Sequence, residues 1–165
     1  ILIGLVGSEM CIRDRYKITS YSEADTIELA QNIESEKFPD MVICLNGDLG
    51  TGKTVFTKGF ASSMQVEEDI TSPTFNIIKE YYSGELPLFH IDAYRVEDRA
   101  DELGLEEYFH KGGIVIIEWA DMIRDYLPEE RLEIKIRAMD SDEDGRIITI
   151  NPIGPKYEEL CEAVL

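Results

Sequence analysis

A stretch of eight residues, Gly47–Thr54, sets the tightest limit on the fold and chemistry open to this chain, and it reads GDLGTGKT. It matches the pattern G-x-x-x-x-G-K-[ST], known as the P-loop. Glycines let backbone N–H groups turn towards phosphate oxygens, and the N-terminus of the following helix attracts the same negative charge. A glycine-rich turn with an incidental lysine is the alternative. The apolar run Met41–Leu45 before the motif predicts a buried strand, which favours a P-loop and hence a nucleotide site.

Each part of the motif has an expected role. Lys53 supplies a point charge for the β- and γ-phosphates and is also a candidate catalytic residue, while Thr54 supplies a hydroxyl ligand for Mg²⁺. ATP is expected in preference to GTP because the sequence contains no N-K-x-D guanine-reading motif. The expected cofactors are therefore ATP and Mg²⁺. The candidate nucleotide-binding residues of the motif are Gly47, Asp48, Leu49, Gly50, Thr51, Gly52, Lys53 and Thr54.

Strand-like and helix-like segments alternate after Tyr16, which predicts an α/β fold. We expect a P-loop NTPase-like three-layer domain with a mixed, centrally parallel sheet flanked by helices. Ser22 and Asp25 have the spacing of a capping box before an amphipathic helix. The other expected elements are a hairpin of Phe75–Tyr82 with Leu86–Ile91, a short helix at Glu102–His110, a buried strand at Ile114–Ile117, a hairpin of Arg131–Ala138 with Arg146–Ile150 around an acidic turn at Asp140–Gly145, and a final helix near Lys156–Val164.

The length of 165 residues suits one domain, which we place at residues 16–165. Residues 1–15 begin without Met and contain a string that resembles a translated sequencing adapter. We interpret them as a non-native N-terminal extension. The cysteines, Cys11, Cys44 and Cys161, are widely spaced and give no disulfide framework, so a cytoplasmic location is expected. No run of apolar residues is long enough to span a membrane.

The charge balance limits the possible partners. The chain has 34 acidic and 16 basic residues, a formal net charge of -18. Such a chain repels nucleic acid phosphates unless its basic residues cluster. We therefore expect no autonomous binding of tRNA or DNA, and a basic protein surface is a more suitable partner.

Two apolar strands each end in a single acid, Leu88–Asp92 in Asp92 and Ile114–Glu118 in Glu118. Strands of a parallel sheet meet at one carboxyl edge, so both acids are expected beside the P-loop. One is expected to bind Mg²⁺ and the other to orient the attacking water. Either acid alone has a second interpretation, as a solvated loop residue or a helix cap.

Further candidates lie near these acids. Thr74, in the segment SPT at 72–74, occupies the place where switch-like loops approach the γ-phosphate, with an ordinary proline turn as the alternative. Trp119 follows Glu118 and is a candidate to flank the nucleotide, with core packing as the alternative. His90 and His110 lack metal-ligand spacing and are interpreted as structural.

Five motifs in this order, GDLGTGKT, SPTF, HIDAYR, ELGLEEYF and IIEWAD, resemble the TsaE family from about Tyr16 to Ile150. The resemblance implies a bacterial ATPase needed for making threonylcarbamoyladenosine in tRNA, acting with the TsaB–TsaD complex as its protein partners. It also implies roles for single residues. Glu118 would be the Mg²⁺-binding acid, Asp92 would position water or act behind the Mg²⁺, and Thr74 would lie near the γ-phosphate. The region Ser22–Thr26 would lie near the adenine.

The expected function is therefore a Mg²⁺-dependent ATPase subunit that supports threonylcarbamoyl modification of the tRNA adenosine next to the anticodon. One alternative is a nucleotide-gated binding module with negligible turnover. Another is a small-molecule kinase, which usually needs extra arginines to close over the phosphoryl group. The arginines here, Arg146 among them, are scattered and show no paired lid arrangement.

Overall fold

Apolar runs form the centre of a seven-stranded sheet in the computed structural model, which describes residues 15–73 and 76–165. The central strands β6, β2, β5 and β4 are parallel neighbours, and antiparallel pairs complete both edges. The order across the sheet is β1-β7-β6-β2-β5-β4-β3. The strands are Tyr16–Ser20 (β1), Met41–Asn46 (β2), Ile78–Tyr81 (β3), Leu88–Asp92 (β4), Ile114–Glu118 (β5), Arg131–Met139 (β6) and Asp142–Ile153 (β7).

Helices cover both faces of this sheet. Ser22 begins the first helix as predicted, since its Oγ accepts a hydrogen bond from the Asp25 N–H at 3.2 Å. The Asp25 carboxylate accepts from the N–H of Tyr21 at 2.9 Å, one residue before the N-cap, so the reciprocal bond is a variant of the capping box. The helices are Glu23–Glu34 (α1), Lys53–Ser63 (α2), Leu105–Tyr108 (α3) and Pro155–Val164 (α4), with 3₁₀ segments at Glu97–Leu103 and Ala120–Tyr126.

Alternation along the strands creates two apolar layers. Ile43 and Leu45 of β2 face a core shared with α1, α2 and α4, whereas Val42 and Cys44 face a second core with α3 and the 3₁₀ segments. Side chains of consecutive strand residues point to opposite faces, so a continuous apolar run can serve both layers. The predicted fold class, a three-layer α/β domain with a mixed and centrally parallel sheet, is confirmed.

Two elements of secondary structure differ from their predictions. The predicted helix Glu102–His110 is broken by Gly104, which adopts a left-handed conformation at φ 63° and separates a 3₁₀ segment from the single turn of α3. The predicted acidic turn Asp140–Gly145 is mostly strand, because β7 already begins at Asp142. The register of β6 and β7 shifts between Ala138 and Met139 to accommodate these residues.

Some predictions fall outside the described residues. They concern Thr74, Phe75 and the proposed N-terminal extension, of which only Arg15 is described. The two predicted hairpins are present as β3–β4 and β6–β7. Within residues 15–73 and 76–165, no helix is both long and apolar enough to cross a membrane.

Candidate nucleotide site

The carboxyl ends of β2, β5 and β4 meet at one edge of the sheet, next to a cleft of about 920 Å³. The P-loop follows β2, and Asp92 and Glu118 are register partners at the ends of β4 and β5. Ligands of open α/β sheets bind at this kind of edge. The structure therefore brings the P-loop and both predicted acids into one cleft. Lys53, Thr54, Asp92, Glu118 and Trp119 all line it.

Backbone geometry explains the first glycine of the P-loop. A Cβ on Gly47 would lie 2.2 Å from the backbone oxygen of Ile136 and 2.8 Å from the Thr51 hydroxyl, so a side chain does not fit. Gly50 and Gly52 have positive φ values of 78° and 114°. Gly52 is also the N-cap of α2, and the first N–H groups of a helix have no intrahelical acceptor. These free donors at a positive helix end suit phosphate oxygens.

The side chain of Lys53 is hydrogen-bonded to the backbone of the P-loop. Its Nζ donates to the carbonyl oxygens of Gly47 at 2.7 Å and Asp48 at 2.8 Å, and lies 4.3 Å from the ring centroid of Trp119. Burial lowers the pKa of Lys53, while the nearby charges of Glu118, Asp48 and Asp92 oppose that shift. The ammonium is thus surrounded by neutral partners at close range, and phosphate oxygens would be stronger acceptors.

Thr54 and Glu118 form the candidate Mg²⁺ site. The Thr54 hydroxyl donates to the carboxylate of Glu118, with both oxygens at 3.4 Å, and Glu118 is only 3% exposed. Hydroxyl and carboxylate oxygens are ligands that Mg²⁺ prefers, and nucleotide phosphates and water usually complete its shell. No group of three or more His, Cys, Asp or Glu side chains among the described residues could hold a metal ion alone. The donor set fits a Mg²⁺ ion shared with a nucleotide.

His90 contacts this acid, and no motif in the sequence predicts that contact. Its side chain is fully buried, as expected for a structural residue, but Nε2 lies 2.5 Å from Oε2 of Glu118. His90 is the register partner of Ile116, so it shares a sheet face with Glu118 two residues further along β5. Its Nδ1 has no hydrogen-bond partner within the described part of the chain. Glu118 is therefore held between a histidine and the P-loop threonine.

Asp92 is oriented from two directions. Its Oδ2 accepts from the Ser72 hydroxyl at 3.3 Å, and its Oδ1 accepts from the Tyr94 N–H at 3.0 Å. The segment predicted to act as a switch thus reaches the site through Ser72, whereas Thr74 lies outside the described residues. Trp119 lies in the cleft and packs against Tyr94 at 4.8 Å between ring centroids.

The rest of the cleft comes from distant parts of the chain. The start of α1 contributes Ser22, Glu23 and Thr26, which belong to the region that the family resemblance placed near the adenine. Asp144 and Arg146 of β7 also line the cleft. The sequence predicts neither residue as part of the site, because neither belongs to a local motif. Only the pairing of the β6–β7 hairpin with the sheet brings them there.

The fold and the site together define a protein of the P-loop nucleotide-binding class. The sequence profile of a family described as "Threonylcarbamoyl adenosine biosynthesis protein TsaE" matches residues 20–148. The chain belongs to the TsaE family, and the predicted resemblance is confirmed.

Individual relatives agree with this assignment. The chain is 52% identical to the tRNA threonylcarbamoyladenosine biosynthesis protein TsaE of Bacillus subtilis over 124 residues, covering 75% of this chain and 77% of the relative. It is 33% identical to the protein of the same name from a Nostoc species, covering 92% and 95%. The crystal structure of YdiB from Bacillus subtilis superposes with a TM-score of 0.81 at 41% identity, covering 91% and 93%.

Proposed function

We propose that this protein is a Mg²⁺-dependent ATPase that supports threonylcarbamoyl modification of the tRNA adenosine next to the anticodon. Family membership supports the process, since the relatives are named for tRNA threonylcarbamoyladenosine biosynthesis. The observation that carries the ATPase proposal is the convergence of three side chains in one cleft. Lys53, Thr54 and Glu118 meet where the P-loop enters α2.

Phosphate binding would use groups that are already oriented. The free N–H groups at the start of α2 would donate to phosphate oxygens. Lys53 would exchange the carbonyl oxygens of Gly47 and Asp48 for the β- and γ-phosphates, because a charged acceptor binds an ammonium more strongly than a carbonyl does. Trp119 and the start of α1 would line the remainder of the nucleotide's surface.

Thr54 and Glu118 would hold the Mg²⁺ ion, which neutralises phosphate charge when it is bound. Asp92 would accept a hydrogen bond from the attacking water. The Ser72 hydroxyl and the Tyr94 N–H fix its carboxylate, so the acceptor direction is set before the water arrives. Water attack on the γ-phosphorus would break the bond to the β–γ bridging oxygen and release ADP and phosphate. Thr74 remains a candidate for a switch near that phosphate.

The charge of the chain supports a division of labour with protein partners. With a formal net charge of -18, it is poorly suited to hold tRNA, and we assign that contact to the TsaB–TsaD complex. Complementary charge would steer docking to a more basic partner surface. The proposed setting for this assembly is the cytoplasm, with domain boundaries at residues 16–165.

Phosphate release from ATP, measured alone and with TsaB–TsaD, tests the activity. We expect slow Mg²⁺-dependent release alone, faster release with the partners, and loss of both in Lys53→Ala. Lys58→Ala is the matched control, because Lys58 is an exposed lysine on the same helix. Binding without phosphate release under any condition would favour a nucleotide-gated binding module. Transfer of the phosphate to a metabolite would favour a kinase.

A further inference from the structure

Arg146 connects two segments of the cleft that are far apart in sequence. Its backbone is held on both sides, since it is the register partner of Ser20 in β1 and of Ala138 in β6. Arg146 shares a face of β7 with Ile148 and Ile150, whose side chains are buried in the core that β7 shares with α1, α2 and α4. This face directs the guanidinium towards the P-loop.

The guanidinium makes four hydrogen bonds, all to backbone carbonyl oxygens. Nε donates to Thr51 at 2.9 Å and Nη2 donates to Gly50 at 3.4 Å, both in the P-loop. Nη1 donates to Glu143 at 2.9 Å and Gly145 at 2.8 Å, both in the β6–β7 hairpin. Four bonds from a group with five N–H donors leave little freedom to move.

These contacts fix the direction of the P-loop peptide groups. In a trans peptide, the carbonyl oxygen and the N–H of the next residue point in opposite directions. The bond from Arg146 to the Thr51 oxygen therefore directs the Gly52 N–H away from Arg146. Arg146 also donates to the Gly50 oxygen, which fixes the next peptide group in the same manner. The N–H of that peptide group belongs to Thr51 and donates to the Asp48 oxygen at 3.3 Å.

The loop needs such support because of its glycines. Gly50 and Gly52 both adopt positive φ values, and a Cβ on either would meet no atom within 4 Å. Neighbouring side chains therefore do not confine these two residues, and glycine has more backbone freedom to lose than any other residue. A loop without an external support would sample conformations in which its N–H groups do not converge.

We propose that Arg146 is a positioning residue of the nucleotide site, which holds the P-loop in its phosphate-binding conformation before a nucleotide arrives. The inference rests on the proposed function, because it assumes that the loop binds nucleotide phosphates. Arg146 acts through the carbonyl groups of Gly50 and Thr51. Its planar group of N–H donors matters as well as its charge, since a lysine ammonium cannot reach both segments with the same geometry.

Two measurements test this inference on the full chain. The first is hydrogen exchange of the Thr51 amide without nucleotide, since this N–H donates to Asp48, and we expect faster exchange in Arg146→Gln and Arg146→Lys than in the wild type. The second is the dissociation constant for Mg·ATP, which we expect to rise about tenfold in both variants, the equivalent of one lost hydrogen bond to a charged group. Arg137→Gln is the matched control, because Arg137 is exposed on β6 and paired with Ile147. It should match the wild type in both measurements.

The outcomes separate this inference from the proposed function. Failure of the wild-type protein to bind Mg·ATP would contradict the proposed function. Tight binding by the wild type, together with unchanged exchange and affinity in Arg146→Gln, would overturn the role of Arg146 alone. Wild-type behaviour of Arg146→Lys would overturn it too, because charge would then suffice. A loss of thermal stability with unchanged affinity well below the melting temperature would indicate a merely structural residue and would also contradict the inference.

Discussion

Nε2 of His90 lies 2.5 Å from Oε2 of Glu118, and both side chains are almost completely buried. The same carboxylate accepts from the Thr54 hydroxyl at the start of α2. A buried carboxylate needs hydrogen-bond partners, and a partner behind a metal ligand also sets the direction of the ligand. His90 therefore ties the core of the sheet to the candidate Mg²⁺ site.

Replacing His90 should have two measurable effects, one on the stability of the fold and one on the candidate Mg²⁺ site. We expect His90→Leu to lower the free energy of unfolding by about 1–3 kcal/mol, because it leaves Glu118 with one partner fewer. The Mg²⁺ concentration needed for half-maximal ATP binding should rise about tenfold. His90→Gln retains an N–H donor and should lose less. His110→Leu is the control because His110 is exposed. An unchanged Mg²⁺ requirement in His90→Leu would show that His90 does not orient Glu118.

Gly47→Ala should disrupt the P-loop more than an alanine at another glycine of positive φ. The new Cβ would meet the Ile136 carbonyl at 2.2 Å, and neither backbone segment can move aside cheaply. We expect a loss of about 3 kcal/mol in urea unfolding, the upper end of the range for overpacking a well-packed site, and weaker ATP binding. Gly112→Ala, at φ 78° with open space around its Cβ, should cost only about 1–2 kcal/mol. Equal losses in the two variants would contradict the close approach at Gly47.

Trp119 should report on the cleft directly. It is the only tryptophan in the sequence, and its ring lies 4.3 Å from Lys53 Nζ and 4.8 Å from the ring of Tyr94. If phosphates draw Lys53 away from the ring, the emission of Trp119 should change on adding Mg·ATP. Lys53→Ala should show no such response, whereas Lys58→Ala should respond like the wild type. A wild-type response in Lys53→Ala would mean that the signal arises elsewhere.

Alkaline pH should destabilise the fold through its buried thiols. Burial raises the pKa of Cys44 and of Cys161 from 9.0 to about 12. The unfolded chain releases these protons first, so stability that is present below pH 9 should be lost as the pH rises to about 12. Urea unfolding at several pH values checks this, and replacing both cysteines by alanine should make the profile less steep, with a remaining slope from Tyr157, whose pKa burial also raises to about 12. An unchanged slope in the double variant would assign the loss to groups other than the two thiols.

The sequence predicts the candidate site best where the functional residues belong to a local sequence pattern. The P-loop is contiguous, and the two acids stand at the ends of apolar strands, so Asp92 and Glu118 were expected beside Lys53 and are found lining the same cleft. Parallel strand ends meet at one sheet edge regardless of side-chain detail. Their chemical roles remain predictions.

Other contacts of the site depend on the register of the paired strands, which a local sequence pattern does not determine. His90 reaches Glu118 only because it pairs with Ile116, and Arg146 reaches Thr51 across 95 positions of the sequence. The break at Gly104 was missed for a different reason. Apolar residues stand on both sides of it, Leu103 before and Leu105 and Phe109 after, and a single glycine among them does not by itself decide between a tolerated residue and a helix end.

Calorimetric titration of Mg·ATP into the full chain tests the central assignment most directly. Wild-type protein and Lys58→Ala should bind one equivalent in a Mg²⁺-dependent manner. Lys53→Ala should show no binding, and Glu118→Ala should bind with a weakened dependence on Mg²⁺. Equal affinity of Lys53→Ala and the wild type, or a wild-type Mg²⁺ response in Glu118→Ala, would contradict a nucleotide site built on Gly47–Thr54 and Glu118.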